Sequence, residues 1–136
     1  MADQPVEVLP YDPAWPDKFA NADDIVRLLE AQGWLFWPED PGRRYRLWFL
    51  RPRPEDRTHH LHVLEHHSSH AQALIAFRDA LRSDRALRVE YAELKKALAE
   101  QHMNNRNAYT NAKTDFVELS LRRAGVEPPR RTPLPE

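Results

Sequence analysis

The first periodic stretch of the chain predicts an amphipathic helix that ends near Gly33. Hydrophobic residues recur there at steps of three and four, which places them on one helical face. Asp12 followed by Pro13 is typical of a helix start, because a carboxylate can cap free amides and proline fits the first turn. The apolar face consists of Trp15, Phe19, Ala22, Val26 and Leu29.

The period changes from helical to two between residues 34 and 67, which predicts strands. Residues 34–37 form a short apolar segment, residues 44–50 a second strand and residues 58–65 a third. The alternation places Trp48 on the face of Arg46, and His60 on the face of His62. Residues 51–56, charged and rich in proline, are predicted to be the loop of an antiparallel hairpin. The sheet would have three or four strands and one buried face.

The remainder of the chain predicts three helices. The first covers residues 69–82, and Ser83-Asp84 is expected to break the chain and cap the second helix. Asn104-Asn105 is expected to cap the third, which ends near Gly125. The predicted fold class is therefore α+β, with a small antiparallel sheet covered by about four helices in one domain, residues 1–125.

Residues 126–136 hold four prolines and two arginines, which predicts a disordered tail. Arg130-Arg-Thr-Pro-Leu-Pro is also similar to a polyproline ligand, although a solvated tail is the favoured interpretation.

Composition narrows the classes of function. The 136 residues include 20 basic and 21 acidic side chains, so a bulk electrostatic binder of nucleic acid is not expected. There is no cysteine, which excludes disulfides and thiolate chemistry. Three glycines are too few for a glycine-rich phosphate loop. Neither a signal pattern nor a membrane-length apolar run is present, so we expect a cytoplasmic protein with no membrane partner.

Six of the seven histidines lie between residues 59 and 70. His60 and His62 are two apart on a strand, so their imidazoles can converge on one metal ion. A metal site needs further ligands, and no carboxylate stands at a fixed offset. A polar strand face is therefore the more economical interpretation.

Residues 42–57 carry six arginines and two acids, a local charge of +4. Guanidinium groups suit phosphate because they donate in a planar, bidentate manner. A solvated hairpin edge is the alternative, since charge there discourages pairing between molecules.

Several blocks of the sequence resemble the GrpB family. They begin with Val6-Glu-Val-Leu-Pro-Tyr-Asp-Pro and continue in the order of the family with Arg43-Arg-Tyr, Thr58-His-His-Leu-His-Val, Phe77-Arg-Asp-Ala-Leu-Arg, Tyr91-Ala-Glu-Leu-Lys and Ala108-Tyr-Thr-Asn-Ala-Lys. The resemblance implies a nucleotidyltransferase-like fold, and the family is also described as a dephospho-CoA kinase/protein folding accessory domain. Its members carry a Gly-Ser pair and an aspartate-bearing strand after the first helix. This chain lacks both, and metal-assisted phosphoryl transfer depends on such acids.

The resemblance also implies site residues. The positions that match the family pattern and could bind a phosphate or nucleotide ligand are Arg44, Tyr45, Arg78, Tyr109 and Lys113. Arg46, an arginine of the hairpin, is a further phosphate candidate, and His60 and His62, which match the His-x-His strand of the family, are the metal candidates. The cofactor is not defined by the sequence; an active enzyme would use a divalent metal such as magnesium or manganese.

Three functions follow from these observations. The first is a catalytically degenerate nucleotidyltransferase-like domain that binds a partner protein, or itself through an exposed sheet edge as a homodimer. The second is an active enzyme that takes a nucleoside triphosphate at a site completed by His60 and His62 or by a partner chain. The third is an RNA or phosphate-ligand binder that uses the arginines of the hairpin, residues 43–57.

Overall fold

The computed structural model describes residues 22–40, 42 and 45–136. Their elements are four helices and a three-stranded antiparallel sheet, so the α+β class is confirmed. The chain divides into two compact units, one ending at Ser68 and the other beginning at Ser69. We call their described parts the sheet unit and the helical unit. The predicted helix start at Asp12 and Pro13 lies outside the described residues.

The sheet unit begins with helix α1, Ala22–Glu30. The helix ends as its sequence predicts. Gly33 adopts a φ of +88°, a left-handed conformation that glycine adopts easily because it has no Cβ atom. The amides of Gly33 and Trp34 donate to the carbonyls of Glu30 and Leu29, which satisfies the last turn.

The sheet contains β1 (Leu35–Phe36), β2 (Arg46–Arg53) and β3 (Asp56–Leu64), paired in the order β1-β2-β3. In the register of β2 and β3, Phe49 is opposite Leu61 and Trp48 is opposite His62. Leu47, Phe49, Leu61 and Val63 therefore share one face of the hairpin. Trp48 shares the other face with His60 and His62, and Leu50 is buried on that same face. The predicted hairpin and its alternation are confirmed.

The predicted loop over residues 51–56 is much shorter than expected. The strands run to Arg53 and start again at Asp56, so Pro54 and Glu55 alone connect them. Pro52 is tolerated in β2 because the register shifts beside it, between Arg51 and Pro52. Proline lacks an amide hydrogen, and an irregularity of the ladder is one of the few places in a sheet where that loss costs little.

The core of the sheet unit lies on β2. Phe49 and Leu50 are fully buried and Leu47 is nearly so. The rings of Phe36 and Phe49 lie 5.4 Å apart between centroids, which packs β1 against β2 on the apolar face.

The helical unit contains α2 (Ser69–Ser83), α3 (Arg85–Gln101) and α4 (Arg106–Arg123). The two predicted caps are present, because the side chains of Asp84 and Asn105 accept hydrogen bonds from the amides of Leu87 and Ala108. Each cap satisfies an amide that the first turn of its helix leaves without a partner.

The buried apolar residues of the helical unit are Ala73, Tyr91, Leu98, Ala108 and Leu121, and Tyr91 packs against an aromatic ring from each of the other two helices. Tyr91 of α3 lies edge-on to Phe77 of α2 at 5.1 Å between centroids, and parallel to Phe116 of α4 at 5.5 Å. Both distances are favourable for aromatic pairs. No helix among the described residues is long and apolar enough to span a membrane.

Residues 126–136 have no helix or strand, yet they make many contacts with α4. Arg131 pairs with Asp115 and Glu118, and Asn111 hydrogen-bonds to the backbone of Leu134. The sequence did not suggest these contacts. The domain limits and the disorder of this segment stay predictions.

Candidate functional site

The most strongly held polar group of the sheet unit is the carboxylate of Asp40. Asp40 is almost fully buried, at 1% exposure. Its Oδ2 accepts from Arg46 Nε at 2.7 Å, and its Oδ1 accepts from Arg46 Nη2 at 2.7 Å and from the Gly42 amide at 2.9 Å. This is a bidentate ion pair completed by a backbone donor, the geometry that best offsets the burial of two charges.

The protonation of this pair follows from its contacts. Burial raises the pKa of Asp40. The hydrogen bonds from Arg46 and Gly42 and the charges of Arg46 and His62 lower that pKa by more than burial raises it, so the pKa of Asp40 lies below its ordinary value. Burial lowers the pKa of Arg46 and the bond to Asp40 outweighs that effect, so the net pKa is raised. Both groups are therefore charged at neutral pH.

Gly42 allows Tyr45 and Arg46 to approach the loop closely. A Cβ atom at this position would lie 2.8 Å from Arg46 Nε and from the hydroxyl of Tyr45. The guanidinium carbon of Arg46 lies 5.5 Å from the centre of the Tyr45 ring, a cation–π distance. Asp40, Gly42, Tyr45 and Arg46 thus form one packed group at the start of β2.

Trp48 occupies the centre of the neighbouring surface. The planes of the His60 and His62 rings are parallel to its ring within 10° and 7°, with centroids 5.6 and 6.2 Å away. The indole Nε1 of Trp48 donates to His60 Nδ1 at 3.2 Å. Trp37 adds a fourth ring, edge-on to Trp48 at 6.3 Å. We call these four residues the aromatic row.

Two guanidinium groups lie over the aromatic row. The guanidinium carbons of Arg46 and Arg57 are 5.7 and 5.4 Å from the centre of the Trp48 ring. A guanidinium over a ring keeps its N–H donors in its own plane, where they can reach an anion. Arg57 therefore adds positive charge to the aromatic row, whereas the charge of Arg46 is balanced by Asp40.

The opposite face of the sheet has a different arrangement. Arg51 lies over the ring of Trp34 at 3.8 Å, and Phe49 is buried beside them on the apolar face. At the hairpin end, Arg53 and Asp56 form an exposed ion pair of 3.9 Å. The described arginines of the hairpin all have contacts inside the sheet unit. Arg44 lies outside the described residues.

No group of three or more histidine, aspartate or glutamate side chains is arranged to hold an ion within residues 22–40, 42 and 45–136. Asp40, whose pKa is affected by the charge of His62, already accepts three hydrogen bonds. The metal role of His60 and His62 stays a prediction.

The other candidate residues belong to the helical unit. Arg78 of α2 pairs with its neighbour Asp79 at 2.8 Å. On α4, the ammonium of Lys113 lies 5.5 Å from the centre of the Tyr109 ring. The structure therefore gathers Tyr45, Arg46, His60 and His62 within the sheet unit, and places Arg78, Tyr109 and Lys113 in the helical unit.

The sequence singled out Arg57 among the arginines of the hairpin, but it did not identify Asp40, Trp37 and Trp48 as members of the site. Asp40-Pro-Gly is a turn pattern in which the aspartate side chain accepts from the amide two residues later. That pattern was visible in the sequence. The alternation had already placed Trp48 beside Arg46, but pairing it with the histidines required the register of β2 and β3.

The fold and site define a class: an α+β protein that carries aromatic rings and guanidinium groups on one face of a small antiparallel sheet. The family model of the GrpB protein matches residues 20–123. The chain belongs to the GrpB family.

Relatives are found in several bacteria. UPF0157 protein PA4798 of Pseudomonas aeruginosa is 30% identical, covering 90% of this chain and 69% of its own length. UPF0157 protein SCO7215 of Streptomyces coelicolor is 34% identical over 106 residues, covering 78% of this chain and 54% of its own length. The glutamate-rich protein GrpB of Alkalihalophilus pseudofirmus is 42% identical over 65 residues, 48% of this chain and 37% of its own.

The Pseudomonas comparison extends over 169 positions, more than the 136 residues of this chain. That relative therefore carries residues inside the matched region that have no counterpart here. The crystal structure of the conserved protein GrpB from Enterococcus faecalis has a TM-score of 0.63 at 24% identity, covering 80% of this chain and 67% of that one. This likeness shows that the fold is shared.

Proposed function

We propose that the chain is a binding domain of the GrpB family, derived from a nucleotidyltransferase-like fold that has lost its catalytic segment. Its ligand is a nucleotide, held on the aromatic row. The main observation in support of this proposal is that the rings of Trp48, His60 and His62 are parallel and that the guanidinium groups of Arg46 and Arg57 lie over Trp48. A base stacks on such rings, and a phosphate pairs with the guanidinium groups.

Two further observations support binding over catalysis. Asp40 is the buried carboxylate of this region. It accepts hydrogen bonds from Arg46 and Gly42, so its role there is structural. The additional residues of the Pseudomonas relative agree with a missing segment, as the Gly-Ser and aspartate pattern suggests.

The test is calorimetric titration of the protein with ATP and with AMP, with and without magnesium or manganese. We expect metal-independent binding of both. Stacking contributes roughly 1–3 kcal/mol per base, so Trp48→Leu should weaken binding about 5- to 150-fold. Trp34→Leu, on the opposite face, is the matched control and should leave the affinity unchanged.

Other results would favour the alternatives. Binding that requires the metal would favour the active enzyme, with His60→Ala and His62→Ala as the next variants. Absence of heat at millimolar nucleotide would reject the nucleotide site. A steep salt dependence for RNA that falls in Arg57→Ala would favour the hairpin as an RNA binder.

A further inference from the structure

One face of α4 is lined by polar side chains that hold an extended peptide. Asn107, Asn111 and Asp115 follow one another at steps of four, which places them in one stripe along the helix. Glu118 continues the stripe one turn later. The peptide is the segment of residues 126–136, which runs back along the helix from its C-terminal end.

The asparagines contact the backbone of the segment. The Asn111 amide nitrogen donates to the Leu134 carbonyl at 2.8 Å, and its Oδ1 accepts from the Leu134 amide at 2.9 Å. Asn107 donates to the Pro135 carbonyl at 2.7 Å. A single amide side chain that satisfies both polar groups of one residue acts as a neighbouring strand would, and it selects an extended backbone.

The carboxylates contact a side chain of the segment. Arg131 Nε lies 2.9 Å from Glu118 Oε1, and Arg131 also pairs with Asp115 and donates to the Asn111 carbonyl. Because two carboxylates share one guanidinium, this end of the stripe selects arginine. The prolines at 133 and 135 restrict the free segment, so less entropy is lost when it binds.

None of these contacts requires the segment to come from the same chain. Gly125, at the end of α4, has a φ of +79°, and the Val126 amide donates to the Leu121 carbonyl. This is the turn at which the chain reverses. If the turn opens, the segment can reach an identical stripe on another molecule and make identical contacts, the usual basis of segment exchange.

We propose that the α4 stripe is a peptide-binding site whose occupant in trans is the 126–136 segment of a second copy of this chain. The tethered segment competes for the site at an effective concentration in the millimolar range. Exchange is therefore expected at high protein concentration, or when the contact within the chain is weakened.

Charge reversal on each side of the contact tests this proposal. Arg131→Glu leaves the stripe intact, and Glu118→Arg leaves the segment intact. Neither variant alone can form the Arg131–Glu118 pair. In a mixture, Arg131 of the Glu118→Arg chain can pair with Glu118 of the Arg131→Glu chain. The two substituted side chains can form a second pair, of reversed charge, between the same two molecules. We expect a one-to-one heterodimer in the mixture by light scattering, and monomers of each variant alone.

The matched control is Arg130→Glu, which makes the same charge change at the exposed residue next to Arg131. It keeps the contact within the chain, so its mixture with Glu118→Arg should contain no heterodimer. Circular dichroism confirms that each variant keeps its helices. A mixture of folded Arg131→Glu and Glu118→Arg that stays monomeric would overturn the proposal.

A second measurement does not depend on Glu118→Arg. A fluorescent peptide of residues 126–136 is titrated with the full chain, and anisotropy reports binding. We expect the Arg131→Glu chain to bind it at least about tenfold more tightly than the unaltered chain, whose own segment competes. Adding Asn111→Ala to Arg131→Glu should abolish this gain. Equal affinity of the three chains for the peptide would also overturn the proposal.

Discussion

The sheet unit and the helical unit use their charges differently. In the sheet unit, Asp40 is 1% exposed and its charge is balanced by Arg46. In the helical unit, the acid of the Arg78–Asp79 pair is 58% exposed, and aromatic rings from the other two helices pack against the buried Tyr91. A buried pair cannot lose one member cheaply, whereas an exposed pair can. The Asp40–Arg46 pair should therefore be more sensitive to a single substitution than the Arg78–Asp79 pair.

The largest effect is expected for Asp40→Ala. The substitution leaves the guanidinium of Arg46 without its buried partner, and breaking such a pair costs about 3–5 kcal/mol of unfolding free energy. All four tryptophans lie within residues 1–68, so urea denaturation followed by tryptophan fluorescence reports on this unit. Asp79→Ala, monitored by circular dichroism, is the control and should cost less than about 1 kcal/mol. Equal costs would remove the contrast between the units.

Gly42→Ala should follow in size. The added Cβ would meet Arg46 and Tyr45 at 2.8 Å, and Arg46 cannot move without stretching its bonds to Asp40. We expect a loss of about 1–3 kcal/mol, typical of overpacking. Gly33→Ala is the control that distinguishes overpacking from backbone strain. A Cβ atom added at Gly33 would have no atom within 4 Å, but the φ of +88° disfavours any side chain. That control should cost about 1 kcal/mol, and a larger loss there would contradict the packing argument.

In the helical unit, removal of a cap should have a moderate effect. Asp84 Oδ1 accepts from the Leu87 amide at 3.0 Å, and Asp84→Ala should cost about 1 kcal/mol. The adjacent Ser83 hydroxyl donates to carbonyls of its own helix, so Ser83→Ala serves as a near-neutral control. Thermal unfolding followed at 222 nm compares the two variants. A greater loss in Ser83→Ala would show that the cap is not the important contact.

The smallest effect is expected from pH. The pKa of Asp40 is lower in the folded protein than its ordinary value of about 4. The ionised carboxylate therefore adds stability that is complete above that ordinary value and disappears as the pH falls through the folded-state pKa. We expect the difference in urea midpoint between the unaltered chain and Asp40→Asn to shrink below about pH 4. A difference that stays constant from pH 7 to pH 3 would reject this assignment.

The sequence predicts the elements well because its local signals agree with the structure. Gly33, Asp84 and Asn105 end or begin helices through contacts within a few residues, and such contacts can be read from the chain. The alternation around Phe49 likewise predicts the correct face. The strand boundary near Pro52 could not be predicted, since it depends on an irregular register between two strands.

The site was predictable only in part. Arg46, His60 and His62 stand out by residue type, yet Trp48, whose ring lies beside all three, joins the site only through the register of β2 and β3. Asp40 offered a turn signal, but its partner Arg46 is six residues away and the pairing depends on a packed loop. The contact between Asn111 and Leu134 joins residues 23 positions apart, and no local sequence pattern predicts it.

The composition of the 126–136 segment has a consequence for aggregation. An extended backbone on a protein surface offers amide hydrogens with which another strand can pair. Between residues 133 and 135, the two prolines leave Leu134 as the single amide donor, and Asn111 Oδ1 accepts from it. This stretch of the segment therefore lies extended on α4 without presenting a donor from which an amyloid-like sheet could grow.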